Sequence, residues 1–132
     1  VQHIKQFGIL FGKSFQLVDD LLDYISPQNI LGKDSLNDLN EGNITLPVIL
    51  AIQNVPALRK LIVDYQNMTE DAGAPVAEDI KNKVIHSGSV EKIKTVLDQI
   101  NSDARETIAQ FNDNMYTQIL FNLLRYSEIR RY

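Results

Sequence analysis

The chain lacks cysteine altogether, which excludes disulfide bonds, thiolate metal sites and cysteine nucleophiles. No run of apolar residues approaches the roughly 18–20 that a membrane-spanning helix needs, so no membrane span is predicted. Its 6 glycines and 4 prolines are too few for a low-complexity or collagen-like chain. The chain also lacks an excess of positive charge, because 17 acidic residues outnumber 13 basic ones and give a formal net charge of −4. The sequence therefore has no electrostatic footprint for nucleic acid, and no nucleic-acid partner is predicted.

The composition that remains is that of a folded globular protein. Apolar residues make up 44% of the 132 residues and charged residues 23%, both ordinary values for a packed domain. The length predicts one domain. The N-terminus has no initiating methionine and no signal-peptide pattern, and it enters a helical period almost at once. We therefore interpret the chain as a piece of a longer protein.

Helical periodicity runs through most of the sequence. Apolar residues recur at steps of three and four, and no useful strand alternation occurs, which predicts an all-α bundle of about six helices. The segments 27–44 and 67–75 are predicted to be irregular. The last helix is predicted to turn five side chains inward: Met115, Ile119, Leu120, Leu123 and Leu124. The predicted helices cover about 2–25, 46–53, 58–65, 76–86, 89–111 and 114–130.

The first helix carries the pattern with chemical content. Its apolar stripe consists of Ile4, Phe7, Phe11, Phe15, Val18, Leu22 and Ile25. An arc nearly opposite, flanked by Gly8 and Gly12, holds Lys13, Gln16, Asp19, Asp20 and Asp23. Three acids so close repel one another and have poor helix propensity, so a bound cation would offset a local cost. Mg²⁺ prefers such hard oxygen ligands. The alternative interpretation is a solvated acidic face.

Several motifs together resemble the trans-type polyprenyl diphosphate synthase family. They are GILFGKSFQLVDDLLDY at 8–24, LGK at 31–33 and DLNEGNITLP at 38–47. The first is similar to the family's second aspartate-rich motif, and the other two to the loop and helix start that follow it. The resemblance implies the C-terminal part of the all-α isoprenoid synthase fold. It also implies a Mg²⁺-dependent prenyltransferase that condenses an allylic diphosphate with isopentenyl diphosphate through a carbocation.

The resemblance also implies roles for particular residues. Asp19 would be the principal Mg²⁺ ligand, with Asp20 and Asp23 contributing directly or through water. Lys33 would bind the allylic diphosphate, and Phe15 and Gln16 would line the isopentenyl side. The family's first aspartate-rich motif is not in these residues, so 1–132 is expected to be the C-terminal portion of one domain, inactive alone. A homodimer or a heteromer is expected for the full-length protein.

Some positions depart from the family pattern and keep two alternatives open. Asp34 and Leu36 stand where the family often has proline and glycine, and Asn43 stands where it often has a second lysine. Leucine does not adopt glycine's positive-φ conformations cheaply, so the loop could take another course. These departures leave open a non-catalytic partner subunit of a heteromeric synthase. A terpene cyclase of the same fold is the other alternative.

The C-terminus is basic and aromatic, and two interpretations of it remain. Arg125, Arg130 and Arg131 lie among Tyr126 and Tyr132. Cations near the end of a helix interact favourably with its dipole, which is the simpler interpretation. The alternative is a tail that folds over the end of the site that binds diphosphate.

Overall fold

The computed structural model describes residues 1–26 and 36–130. Within these ranges all regular structure is helical, so the all-α prediction is confirmed. The helices are α1 (Gln2–Ile25), α2 (Asn37–Asn40), α3 (Leu46–Asn54), α4 (Leu58–Gln66), α5 (Glu70–His86), α6 (Ser89–Ile108) and α7 (Met115–Ile129). No helix within the same ranges has the length and apolarity to cross a membrane.

The chain divides into two compact units, and α1 contributes to both. The first unit comprises Val1–Asp19 and Lys94–Tyr132. Its core joins α1, α6 and α7 through the buried residues Phe7, Ala104, Ile108 and Leu124. A buried hydrogen bond of 2.8 Å from Ser14 Oγ to Asn101 Oδ1 also links α1 to α6. Because a buried hydroxyl and a buried carbonyl oxygen are costly unless paired, this bond favours the contact between the two helices.

The second unit, Asp20–Ile93, has its own apolar core. Here α3, α4 and α5 pack against one another. The end of α1 and the helix α2 complete the core with Tyr24, Leu36 and Leu39. The remaining buried members are Val48, Ala51, Leu58, Ile62, Ile80 and Val84. The single-domain organisation expected from the sequence stays a prediction.

Most helix boundaries follow from local signals. Thr45 is extended before α3, and Pro47 lies in the first turn, where proline is favoured. Gly88 ends α5 with a φ of 84°, a backbone conformation that glycine adopts without steric cost. Asn114 begins α7 with a reciprocal capping box, in which its side chain accepts from the amides of Tyr116 and Thr117.

The predicted loop at 67–75 is wrong from Glu70 onward, because α5 begins there. Thr69 is extended, and Glu70 and Asp71 occupy the first turn, where the helix dipole favours acids. Pro75 lies inside the helix and leaves the carbonyl of Asp71 without its usual donor. The acidic first turn therefore outweighs the glycine and proline that predicted a loop.

The predicted inward face of α7 is also partly wrong. Leu124 is buried and Leu120 is half-buried, but Met115, Ile119 and Leu123 are exposed. The buried residues of this helix are Thr117, Leu124 and Ser127. The helix carries apolar residues on two sides, so periodicity alone does not decide which side packs.

Candidate functional site

The acidic face of α1 is open, as expected for a face that meets a ligand or solvent. The side chain of Asp19 is 61% exposed, and Asp20 and Asp23 are half-buried. Gly12 and Gly8 lie about two and three turns before Asp19 on the helix. Apart from the neighbouring backbone of α1 itself, no heavy atom of the described residues lies within 4 Å of where a Cβ would stand at either glycine.

Asp19 has a cationic partner from the end of the chain. Nη2 of Arg130 donates to Oδ1 of Asp19 at 3.2 Å, across 111 positions of sequence. The same guanidinium lies over the ring of Phe15, with Cζ 4.3 Å from the ring centroid. Phe15 precedes Asp19 by one helical turn, so a carboxylate and an aromatic face on adjacent turns hold one cation.

The carboxylate of Asp23 accepts hydrogen bonds from backbone amides of its own unit. Its Oδ1 accepts from the amide of Asn37 at 3.0 Å, and its Oδ2 accepts from the amide of Asp38 at 3.2 Å. These are the first two amides of α2, which have no carbonyl partner within that helix. Asp23 therefore caps α2 from a distance of 14 residues along the chain, and ties the segment after the acidic motif to α1.

Leu36, where the resembling family often has glycine, takes the left-handed conformation that glycine favours. Its φ is 66° and its ψ is 35°, at the residue that precedes α2. Its side chain is 0% exposed and belongs to the core of the second unit. Burial of the leucine therefore offsets a strained backbone, and the turn before α2 forms without glycine.

Tyr24 is fully buried beneath the acidic motif. Burial, reinforced by the nearby Asp23 carboxylate, raises the pKa of the Tyr24 phenol well above its ordinary value. The Thr45 hydroxyl faces the phenol and lowers this pKa slightly, but the contact falls short of a formed hydrogen bond. Tyr24 is therefore a neutral packing residue that joins α1 to the start of α3.

The remaining positions of the motif are placed in part. Lys33 and Asp34 lie outside the described residues. Asn43 is exposed, and its amide side chain donates weakly to Glu41 Oε2 at 3.4 Å. Its backbone amide donates to the carbonyl of Asp38 at 2.7 Å, which closes the turn after α2. Phe15 and Gln16 are both exposed on α1.

The described carboxylates suit a metal ion that is shared with a ligand. Across residues 1–26 and 36–130, no group of three or more acidic or imidazole side chains could hold a metal ion by itself. Mg²⁺, however, is commonly bound by one or two carboxylates together with substrate phosphates and water. The exposed Asp19 and its neighbour Asp20 fit that requirement, whereas both oxygens of Asp23 already accept backbone amides.

The helical fold and the acidic motif are those of one class of protein, the all-α isoprenoid synthases. Comparisons with known proteins support this class. A family model described as polyprenyl synthetase matches residues 1–84. Solanesyl diphosphate synthase 2 of Arabidopsis thaliana is 34% identical over 94% of this chain. Heptaprenyl diphosphate synthase component 2 of Bacillus subtilis is 39% identical over 57% of it. The chain covers 30% and 22% of these two relatives, less than a third of either.

A solved structure extends the likeness to the fold. The polyprenyl synthase of Caulobacter crescentus, solved with calcium and isoprenyl diphosphate, matches with a TM-score of 0.82 and 27% identity. The match covers 99% of this chain and 40% of that one. The chain belongs to the polyprenyl synthetase family.

Arg130 lies at this face, although the sequence left its role open. The sequence offered two interpretations of the basic C-terminus, and the simpler one confined it to the end of its own helix. The contacts with Asp19 and Phe15 instead join it to the acidic motif. The only sequence signal was the cluster of arginines and tyrosines after residue 124, which does not reveal a partner more than 100 positions away.

Proposed function

We propose that the whole protein is a prenyltransferase that condenses an allylic diphosphate with isopentenyl diphosphate, and that this chain supplies its second aspartate-rich motif. Family membership supports the reaction class. The named relatives are prenyl diphosphate synthases, and they favour neither the non-catalytic subunit nor the cyclase. The observation that carries the proposal is the exposed Asp19 carboxylate on the open face of α1.

In this proposal Asp19 is the principal ligand for Mg²⁺, and Asp20 assists directly or through water. Mg²⁺ would withdraw negative charge from the diphosphate as the carbon–oxygen bond ionises. The calcium and isoprenyl diphosphate named for the Caulobacter relative support a divalent ion beside a diphosphate. Asp23 contributes through water and through its hold on α2, because its oxygens accept the amides of Asn37 and Asp38.

The other proposed roles concern substrate. Phe15 and Gln16, exposed on the same helix, line the isopentenyl side. The Phe15 ring excludes water there and offers an electron-rich face to a cation. Lys33 binds the allylic diphosphate as a point charge. Asn43 has no charge to add, so the loop after the motif offers one cation fewer than the family usually has.

We also propose that the whole protein assembles as a homodimer or a heteromer. The Bacillus relative is named as a component, which supports a heteromer. The native mass and the subunit composition of the complex that is isolated with the whole protein distinguish the two assemblies.

The proposal is tested by Asp19→Ala in the whole protein. We expect condensation to fall by about 100-fold or more, the order lost when one group that stabilises developing charge is removed. Incorporation of labelled isopentenyl diphosphate measures this, and circular dichroism checks that helicity is unchanged. Asp64→Ala removes another exposed aspartate, from α4, and should leave activity within about twofold of wild type. Wild-type turnover in Asp19→Ala contradicts the proposal.

A further inference from the structure

We propose that Arg130 is a stand-in cation for the aspartate-rich motif: its guanidinium neutralises Asp19 when no metal ion is bound, and a divalent ion must displace it. This inference rests on the proposed function, because it takes Asp19 as the metal ligand. Arg130, at the end of α7, thereby joins the site as a cation that competes with the metal ion for Asp19.

The first observation is geometric. Nη2 of Arg130 approaches Oδ1 of Asp19 at 3.2 Å. A divalent ion bound to the same oxygen needs its lone pairs at about 2.0–2.6 Å and repels a guanidinium beside it. The two cations therefore compete for one carboxylate. The side chain of Arg130 is only 23% exposed, whereas that of Asp19 is 61% exposed, so the metal ion has access from solvent while the arginine approaches from the protein side.

Arg130 also has a contact that does not involve Asp19. Its guanidinium lies 4.3 Å from the centroid of the Phe15 ring, and that contact does not depend on Asp19. An arginine released from the carboxylate can therefore remain on the aromatic face, one helical turn away. This makes displacement less costly than full exposure of the side chain to water.

The third observation concerns an unused donor. Nη1 of Arg130 is buried and has no hydrogen-bond partner within the described residues. A buried donor is stabilised when it gains an acceptor, so Nη1 has a further hydrogen bond to offer. An oxygen-rich ligand that entered with the metal ion would offer Nη1 an acceptor.

The end of α7 is nevertheless well anchored, which makes the contact specific. Arg105 of α6 forms an ion pair with Glu128, two residues before Arg130. The amide of Arg130 donates to the carbonyl of Tyr126 at 3.3 Å. Displacement therefore requires rotation of one side chain and leaves the helix in place.

The test measures binding of Mn²⁺, a stand-in for Mg²⁺, to the whole protein without substrates, by electron paramagnetic resonance of the free ion. Asp19→Asn identifies the portion of bound Mn²⁺ that depends on Asp19. In Arg130→Ala we expect the affinity of that portion to rise about two- to fivefold, the range that an exposed ion pair corresponds to, since the contact with Phe15 is kept when the metal ion binds. Arg125→Ala is the matched control, since it removes one exposed arginine from the same helix, and should change affinity less than twofold.

Each result decides between the two proposals. Tighter Mn²⁺ binding in Arg130→Ala, with an intermediate value for Arg130→Lys, supports the stand-in cation. Unchanged or weaker binding in Arg130→Ala overturns it and leaves the metal role of Asp19 standing, provided Asp19→Asn still removes bound Mn²⁺. If Asp19→Asn removes none, the metal role of Asp19 fails, and the stand-in cation fails with it.

Discussion

Leu36 provides a sharp test of how the loop after the acidic motif is built. Its φ of 66° is a left-handed conformation that costs a residue with a Cβ about 1–2 kcal/mol. Its side chain is 0% exposed, and removing a buried leucine side chain costs about 2–5 kcal/mol. Leu36→Ala loses the burial and keeps the strain. Leu36→Gly loses the burial, relieves the strain, and adds about 0.5–1 kcal/mol of unfolded-chain entropy.

The expected order of stabilities follows from these terms. Both variants are less stable than the wild type, but Leu36→Gly equals or exceeds Leu36→Ala in free energy of unfolding, by up to about 1.5 kcal/mol. Urea unfolding followed by circular dichroism measures both, with the slope m checked for constancy. The reasoning is refuted if glycine at this position is less stable than alanine by about 1 kcal/mol, the difference expected inside an ordinary helix.

Leu39 is the matched control for this pair. It is 1% exposed, packs in the same core, and lies within α2 in a right-handed helical conformation. Leu39→Gly should therefore be less stable than Leu39→Ala by about 1 kcal/mol. A reversal of the alanine–glycine order between two neighbouring buried leucines isolates the backbone strain from the loss of packing.

Two further predictions concern caps. Asp23→Ala leaves the amides of Asn37 and Asp38 without their acceptor. We therefore expect the free energy of unfolding in urea to fall by about 1–2 kcal/mol and hydrogen exchange at both amides to become faster. Asp23→Asn, which retains one oxygen, should recover part of the lost stability. Exchange at wild-type rates in Asp23→Ala would show that the cap is not formed. Asn114→Ala removes the capping box of α7 and should cost about 1 kcal/mol, whereas Asn114→Asp should restore most of it; equal thermal midpoints for Asn114→Ala and wild type would refute this role.

Local signals in the sequence were sufficient for much of the helical layout. The predicted range 2–25 for the first helix matches α1, and the predicted starts at about 46 and 114 match α3 and α7 to within one residue. These features depend on hydrophobic period, caps and glycine conformation, all of which act within a few residues. The resemblance to the polyprenyl synthases was likewise carried by contiguous motifs, and the family match confirms it.

Where two local signals competed, the sequence alone did not decide the outcome. Glycine and proline at 73 and 75 predicted a loop, yet the acids at 70 and 71 begin α5 five residues before Pro75. On α7 the periodicity allowed more than one buried face, and the packing against α6 selected the face with Leu124. In both places the structure that forms depends on the free energies of helix capping and burial. A spacing pattern does not show which of these free energies is larger.

The amino-acid sequence by itself determined that α1 would carry an acidic face, that the chain would be helical, and which family its motifs resemble. Only the tertiary structure decided what each acid of that face touches: Asp19 meets Arg130 from 111 residues away, and Asp23 caps the amides of α2. The physical reason is the distance along the chain over which each interaction acts. Helix formation and capping are settled between near neighbours in the chain, whereas the partner of an exposed charge is settled by which distant segment the packed core brings beside it.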